Sequence, residues 1–251
     1  MKLIADIGNS QIKIAQTDNQ KLLKIKSFPL EDIEQLRKYI SRNYINKKCT
    51  LFYSSVLSDQ FNNKFKKTLK GILIKEIKFK STRTLLSVKN CYLQPSKLGS
   101  DRWAQIVAAH RLFKTNTLIV SCGSAISIDF VTATGNHMGG LILAGAERYS
   151  NCFSGIHNLK NIKLRNNQSK NSNIFQSNTS KQINSGYRVM ISSSVTAIYS
   201  RLCDKEKAKP KLILTGSYSK NLSNDLEMKC LVEPYFVLKS LALIQNATKL
   251  F

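Results

Sequence analysis

"LIADIGNS" at residues 3–10 and "LIVSCGSA" at residues 118–125 are two versions of one pattern, an apolar strand that runs into a turn of small residues. Each is followed by a return strand, "QIKIAQ" at residues 11–16 and "ISIDFVT" at residues 126–132. The second copy starts nearly half the chain after the first in a sequence of 251 residues. That repetition predicts two similar α/β halves, residues 1–114 and 115–251, with their turns face to face. The copies differ in one chemical respect, since Asp6 in the first is matched by Ser121 in the second.

The flanking segments fill out both halves. "LLKIKSF" (22–28) extends the first sheet, and apolar residues at Leu30, Ile33, Leu36, Tyr39 and Ile40 predict a helix over 30–42. "TLFYSSV" (50–56) reads as a strand, 59–71 as a helix ended by Gly71, and "IKEIKFK" (74–80) as a further strand. Ser100 is placed to cap a helix over 100–113. In the second half "MGGLILAG" (138–145) and "KLILTGS" (211–217) are strands. A long helix follows the polar stretch 160–182, which reads as a flexible loop, and an amphipathic helix closes the chain.

Composition limits the function classes. At 42% hydrophobic residues the chain is an ordinary globular protein. The apolar run before Asp6 is too short for a signal peptide, and no stretch approaches the roughly 18 apolar residues of a membrane span. A cytoplasmic protein with no membrane partner is expected. The six cysteines are scattered singly and read as reduced, mostly buried thiols. The three histidines are unclustered, so no zinc site is expected. With 39 Lys and Arg against 15 Asp and Glu the formal charge is +24. The lysines are spread in runs such as "KFKKTLKG" (64–71), which reads as a solvated surface, with a polyanion-binding face as the competing reading.

There is no Walker A pattern and no G-x-G-x-x-G. A strand, turn and return strand with Gly8, Asn9 and Ser10 is another way to hold phosphate, through backbone N–H groups and neutral side-chain donors. Asp6, just before the turn, could hold a hydrated Mg²⁺ that bridges phosphates. An ordinary hairpin is the alternative for either turn alone. Asp101, at a helix start beside the Arg102 guanidinium, could accept a proton from a reacting hydroxyl, or could serve only to cap the helix.

Taken in order, Asp6 to Ser10, Tyr92, Gly99-Ser100-Asp101-Arg102, Gly123-Ser124-Ala125, Asp129, Gly139-Gly140, Ile142 and Gly145 resemble the type III pantothenate kinases. The likeness continues through Asn178-Thr179, Ser185-Gly186, Thr215-Gly216 and Glu233-Pro234-Tyr235. It implies an actin-like fold of the acetate and sugar kinase superfamily, two ribonuclease-H-like halves around an ATP cleft. It also implies a homodimer that uses ATP with Mg²⁺ to phosphorylate pantothenate, the first step of coenzyme A synthesis.

Carried onto this sequence, the resemblance assigns ATP contacts to Asp6, Ile7, Gly8, Asn9, Ser10, Gln11, Ile12, Lys13 and Ser124. Pantothenate contacts fall to Tyr92, Gly99, Ser100, Asp101, Arg102 and Thr179, with Asp101 the proton acceptor and Asp6 the Mg²⁺ residue. Position 121 supplies the family's carboxylate to a potassium or ammonium ion, and here it is Ser121. Ala144 stands where the family has proline, and Ser10 and Ser124 replace threonines. The competing expectation is a weakened relative acting as a regulatory or nucleic-acid-associated protein; as an enzyme the chain is expected to have no nucleic-acid partner.

Overall fold

A computed structural model describes residues 2–18, 21–44, 49–159, 164 and 173–248. The first strands are β1 (Lys2–Ile7), β2 (Gln11–Asp18) and β3 (Lys21–Pro29), followed by helix α1 (Ile33–Tyr44), strand β4 (Cys49–Ser55), helix α2 (Asp59–Leu69) and strand β5 (Leu73–Lys78). They form a five-stranded sheet of order β3-β2-β1-β4-β5, in which β1 runs antiparallel to β2 and parallel to β4. A short hairpin, β6 (Thr84–Leu85) and β7 (Val88–Lys89), leads to helix α3 (Ser100–Phe113).

The pattern then repeats. Strands β8 (Thr117–Cys122), β9 (Ala125–Val131) and β10 (His137–Ala144) are followed by helix α4 (Ala146–Asn151) and the 28-residue helix α5 (Thr179–Glu206). Strand β11 (Lys211–Gly216), helix α6 (Ser219–Asn224), strand β12 (Cys230–Val232) and helix α7 (Phe236–Ala247) complete the chain. The second sheet has the order β10-β9-β8-β11-β12, strand for strand the topology of the first. β1 and β8 hold the same place in the two sheets, as the repeated sequence predicts.

Alternation of side chains along the strands divides each sheet into two faces. Leu3, Ala5 and Ile7 of β1 pack with Ile33, Leu36 and Ile40 of α1 and with Phe65 and Leu69 of α2. Leu118, Val120 and Cys122 of β8 pack with Tyr187, Ile191 and Val195 of α5 and with Leu222 of α6. Burying each large apolar side chain contributes about 1.5–3 kcal/mol before entropy is counted. Asp6 and Ser121 alternate out of these cores, onto the opposite faces of their sheets.

The chain's contacts group it into two compact units, Met1–Arg111 with Phe236–Phe251, and Leu112–Tyr235. Helix α7 packs against β1, β2, β3 and β4, so it belongs with the first unit, whereas a division at 114/115 leaves it with the second. Local details also differ from expectation. Ser58 caps α2 by accepting from the Phe61 N–H at 3.3 Å, and Gly71 lies beyond the helix at φ 85°. Within the polar stretch 160–182, residues 160–163 and 165–172 lie outside the described residues, while Thr179–Gln182 form the first turn of α5, capped by Asn178. No two of the six cysteines are bonded to each other. Only Cys49 and Cys122 are buried, because the others fall at strand edges, in loops or on helix surfaces.

Candidate active site

Asp6 sits near the end of β1, in register with Lys13 on β2 and Ser54 on β4. The Ser54 hydroxyl is hydrogen-bonded to that of Ser100, 2.8 Å away and buried, and Ser100 Oγ also donates to the Ser55 carbonyl at 3.4 Å. This link ties the start of α3 to the end of β4 and so brings Asp101 near Asp6. Ser100 is therefore the first helical residue, turned onto β4, and not the cap that its position in the sequence suggests. Its side chain is spent on packing, which leaves only its backbone for a ligand. Burial, and after it the charge of Asp101, pushes the Asp6 carboxyl up to about 7, with Lys13 acting in the opposite sense.

In the turn after β1, the Gly8 N–H donates to the Gln11 carbonyl at 3.0 Å. That donor closes the hairpin and is not open to a phosphate, which leaves the exposed Asn9 and Ser10 as the groups the tip presents. Ile7 and Ile12 are both 0% exposed, so these two could meet a nucleotide only through their backbone. Gln11 is exposed and Lys13 half-buried on the same hairpin.

At the start of α3, Gly99 and Asp101 are pressed together. A Cβ at Gly99 would lie 2.6 Å from Asp101 Oδ1. The next residue, Arg102, donates from Nη1 to the Tyr92 hydroxyl at 3.1 Å, with its guanidinium carbon 5.9 Å from the Tyr92 ring centroid. Tyr92, Gly99, Asp101 and Arg102 are thus brought together in one unit with Asp6. A helix N-terminus favours negative charge, and a carboxylate positioned there suits the acceptance of a proton from a reacting hydroxyl. The adjacent guanidinium suits a substrate carboxylate.

The second unit holds Ser121, Ser124 and Thr179. Ser121 lies in register with Ser127 on β9 and Thr215 on β11, a row of three hydroxyls in the place of the Lys13–Asp6–Ser54 row. The turn after β8 is closed by the Gly123 N–H donating to Ala125 O at 3.1 Å. Two glycine backbones press on it: a Cβ at Gly145 would lie 2.3 Å from Gly123 O, and one at Gly216, where φ is 88°, would lie 2.3 Å from Cys122 O. Burial pushes the Cys122 thiol up to about 12, which keeps it an inert packing group. Thr179 is exposed at the first position of α5.

Asp129, two residues beyond Ser127 on β9, is paired through Oδ1 with His137 Nε2 at 3.1 Å, and both residues are 2% exposed. Sequence spacing marks Asp129 but not its partner, because the pairing runs across a bulge in β10. Among the described residues there is no group of three His, Cys, Asp or Glu able to hold a metal ion, and no helix long and apolar enough to cross a membrane.

The family model for type III pantothenate kinase matches residues 2–201. A type III pantothenate kinase of Sulfurihydrogenibium sp. is 30% identical over 254 residues, covering 96% of this chain and 98% of that one. One from Acinetobacter baumannii is 28% identical, covering 88% and 87%. Among solved structures, a Campylobacter jejuni protein described as a Baf family transcriptional activator superposes with a TM-score of 0.63 at 20% identity, covering 99% of this chain and all of that one. An inorganic polyphosphate/ATP-glucomannokinase from Arthrobacter superposes with a TM-score of 0.50 at 13% identity, covering 98% of each chain. These likenesses carry the fold, an α/β protein of two ribonuclease-H-like units of the actin-like kind. With four-fifths of its length matched by the family model and a relative of that family 30% identical over nearly all of both chains, the chain belongs to the type III pantothenate kinase family.

Proposed function

We propose that the protein transfers the γ-phosphoryl group of ATP to the terminal hydroxyl of pantothenate, giving 4′-phosphopantothenate and ADP in the first step of coenzyme A synthesis. The observation that carries this reading is the cluster of Asp101, Gly99, Arg102 and Tyr92 beside Asp6 in a chain of this family. Phosphoryl transfer depends mainly on positioning and charge stabilisation and needs one acceptor for the hydroxyl proton. In this scheme the hydroxyl oxygen bonds to the γ-phosphorus, the bond to the β–γ bridging oxygen breaks, ADP leaves, and Asp101 takes the proton. Arg102 and Tyr92 orient the acceptor's carboxylate end, with Gly99 and the Ser100 backbone completing its contacts. Asn9, Ser10, Gln11, Lys13 and the backbone of Ile7, Gly8 and Ile12 receive the nucleotide.

Asp6 suits a Mg²⁺ that arrives with ATP, since burial and a second carboxylate leave its charge poorly compensated and Mg²⁺ commonly takes one or two carboxylates plus phosphates. The ion would supply charge neutralisation at the phosphates. The row at Ser121 offers a potassium or ammonium ion neutral oxygens only, and the nearby Asp129 is already engaged by His137. That donor set does not fit a strongly held monovalent cation. A homodimer in the cytoplasm completes the reading.

Purified protein incubated with ATP, MgCl₂ and pantothenate should yield phosphopantothenate, detected by mass. Absence of product from protein that still binds ATP would overturn the kinase reading and leave the regulatory one.

A further inference from the structure

Between β5 and α3 the chain leaves the sheet in an excursion that carries Tyr92. Its two ends are joined where Ser81 Oγ donates to the Leu98 carbonyl at 2.8 Å. Its hairpin turns through Leu86 and Ser87, both at positive φ (47° and 68°). Two-residue hairpins of this type normally use Asn-Gly, so a leucine and a serine persist there only because the surroundings hold them.

Two side chains fasten the base of this hairpin and the segment that follows it. Asn90, 0% exposed, donates through Nδ2 to Thr82 O at 3.2 Å and Pro95 O at 3.4 Å, and accepts the Tyr92 N–H on Oδ1 at 3.0 Å. Arg83 donates through Nη1 to Asn90 O at 3.3 Å and Tyr92 O at 2.7 Å, and through Nη2 to Leu93 O at 2.8 Å. The Asn90 N–H returns to Arg83 O at 2.9 Å. A planar guanidinium can gather several carbonyls in this way, whereas a lysine ammonium is a point charge without the fork. At the end of the chain of contacts, the Tyr92 hydroxyl accepts from Arg102, next to Asp101.

We propose that Arg83, with Asn90, is a positioning residue that pre-forms the Tyr92 loop and so fixes where the Arg102 guanidinium stands when the acceptor substrate binds. The proposal rests on the pantothenate kinase reading for its substrate, but its structural half can be tested without turnover. The organised loop removes ordering cost from acceptor binding and leaves the nucleotide turn untouched.

The test is Arg83→Gln in the full-length protein, with Tyr92→Phe and the double variant alongside. Expected is a rise of about tenfold or more in KM for pantothenate, with KM for ATP within about twofold of the parent. The double variant should be less than additive, because both changes break the same chain of contacts. Hydrogen exchange on the ligand-free protein should quicken over residues 90–95 and stay unchanged over α3. Unchanged exchange in the loop, or equal rises in both KM values, would overturn the proposal. Inactivity of the parent with faster loop exchange in the variant would sink the kinase reading alone and leave the loop assignment standing.

Discussion

The turns after β1 and β8 occupy the same place in two sheets of identical strand order, yet they are built for different purposes. The first ends a row of charged and polar groups, Lys13, Asp6 and Ser54. It is bordered by hydrogen bonds from the Leu30 N–H to Ser10 O at 3.2 Å and from the Val56 N–H to Ile7 O at 3.3 Å, and a Cβ at Gly8 would meet only Gln11 O, at 3.6 Å. The second ends a row of neutral hydroxyls, Ser127, Ser121 and Thr215, and is wedged by the backbones of Gly145 and Gly216. One copy of the repeat has kept charge and the other has kept close packing. Duplicate topology thus places two turns alike but does not oblige them to share chemistry.

The largest expected effect comes from removing the charge chemistry of the first unit. Asp101→Asn should lower kcat by about 10² to 10⁴ while nucleotide binding persists, measured by steady-state kinetics and calorimetry. A rate within twofold of the parent would remove Asp101 from the role of base. Gly99→Ala probes the same group by space rather than charge. Its new methyl collides with a movable carboxylate, so kcat should fall about tenfold to a hundredfold while Tm changes little.

Packing should respond in the opposite order across the two turns. Gly216→Ala and Gly145→Ala each drive a Cβ into backbone, and Gly216 also has positive φ, so each should cost roughly 3 kcal/mol or more. Gly8→Ala should cost under about 1 kcal/mol. Denaturant titration of the three variants checks the contrast, and equal losses would erase the difference between the turns.

The raised pKa of Asp6 gives the first turn a pH signature. In the ligand-free fold Asp6 keeps its proton to about pH 7, against 3.8 for an unperturbed aspartate, so the folded state binds more protons between those values. Its contribution to stability is therefore full at low pH and is lost as the pH rises through that window. Asp6→Asn should leave Tm unchanged near pH 4 and raise it near pH 8, by on the order of 2 kcal/mol of stability. If the two Tm profiles run parallel, burial does not hold the proton. In the parent, binding of Mg²⁺ with ATP below pH 7 should release protons, seen by calorimetry in buffers of different ionisation heat.

The smallest effect is expected at Ser121. A neutral hydroxyl row competes poorly with water for a monovalent cation, so replacing NaCl by KCl at fixed ionic strength should change the parent's rate less than about twofold. Ser121→Asp should introduce potassium activation. Strong activation of the parent, untouched by the substitution, would show that a cation binds without the acid.

The sequence by itself determined the two-sheet plan, since the apolar alternation of β1 and β8 and their small-residue turns are local signals that repeat. It also marked Asp6, Asp101 and Arg102, whose residue types and ordered spacing carry their chemistry. Tertiary structure decided the rest. Closure of the hairpin commits the Gly8 N–H, which no residue type reveals. Ser100 looks like a helix cap until Ser54, from a distant strand, draws its hydroxyl away. The last helix joins the first sheet because its apolar face is buried there, a choice set by which surface remains uncovered and not by chain order. Asp129 finds His137, and Arg83 finds three carbonyls, across bulges and turns whose register forms only on folding. Such contacts have no local period, and they give residues legible in the sequence a defined geometry.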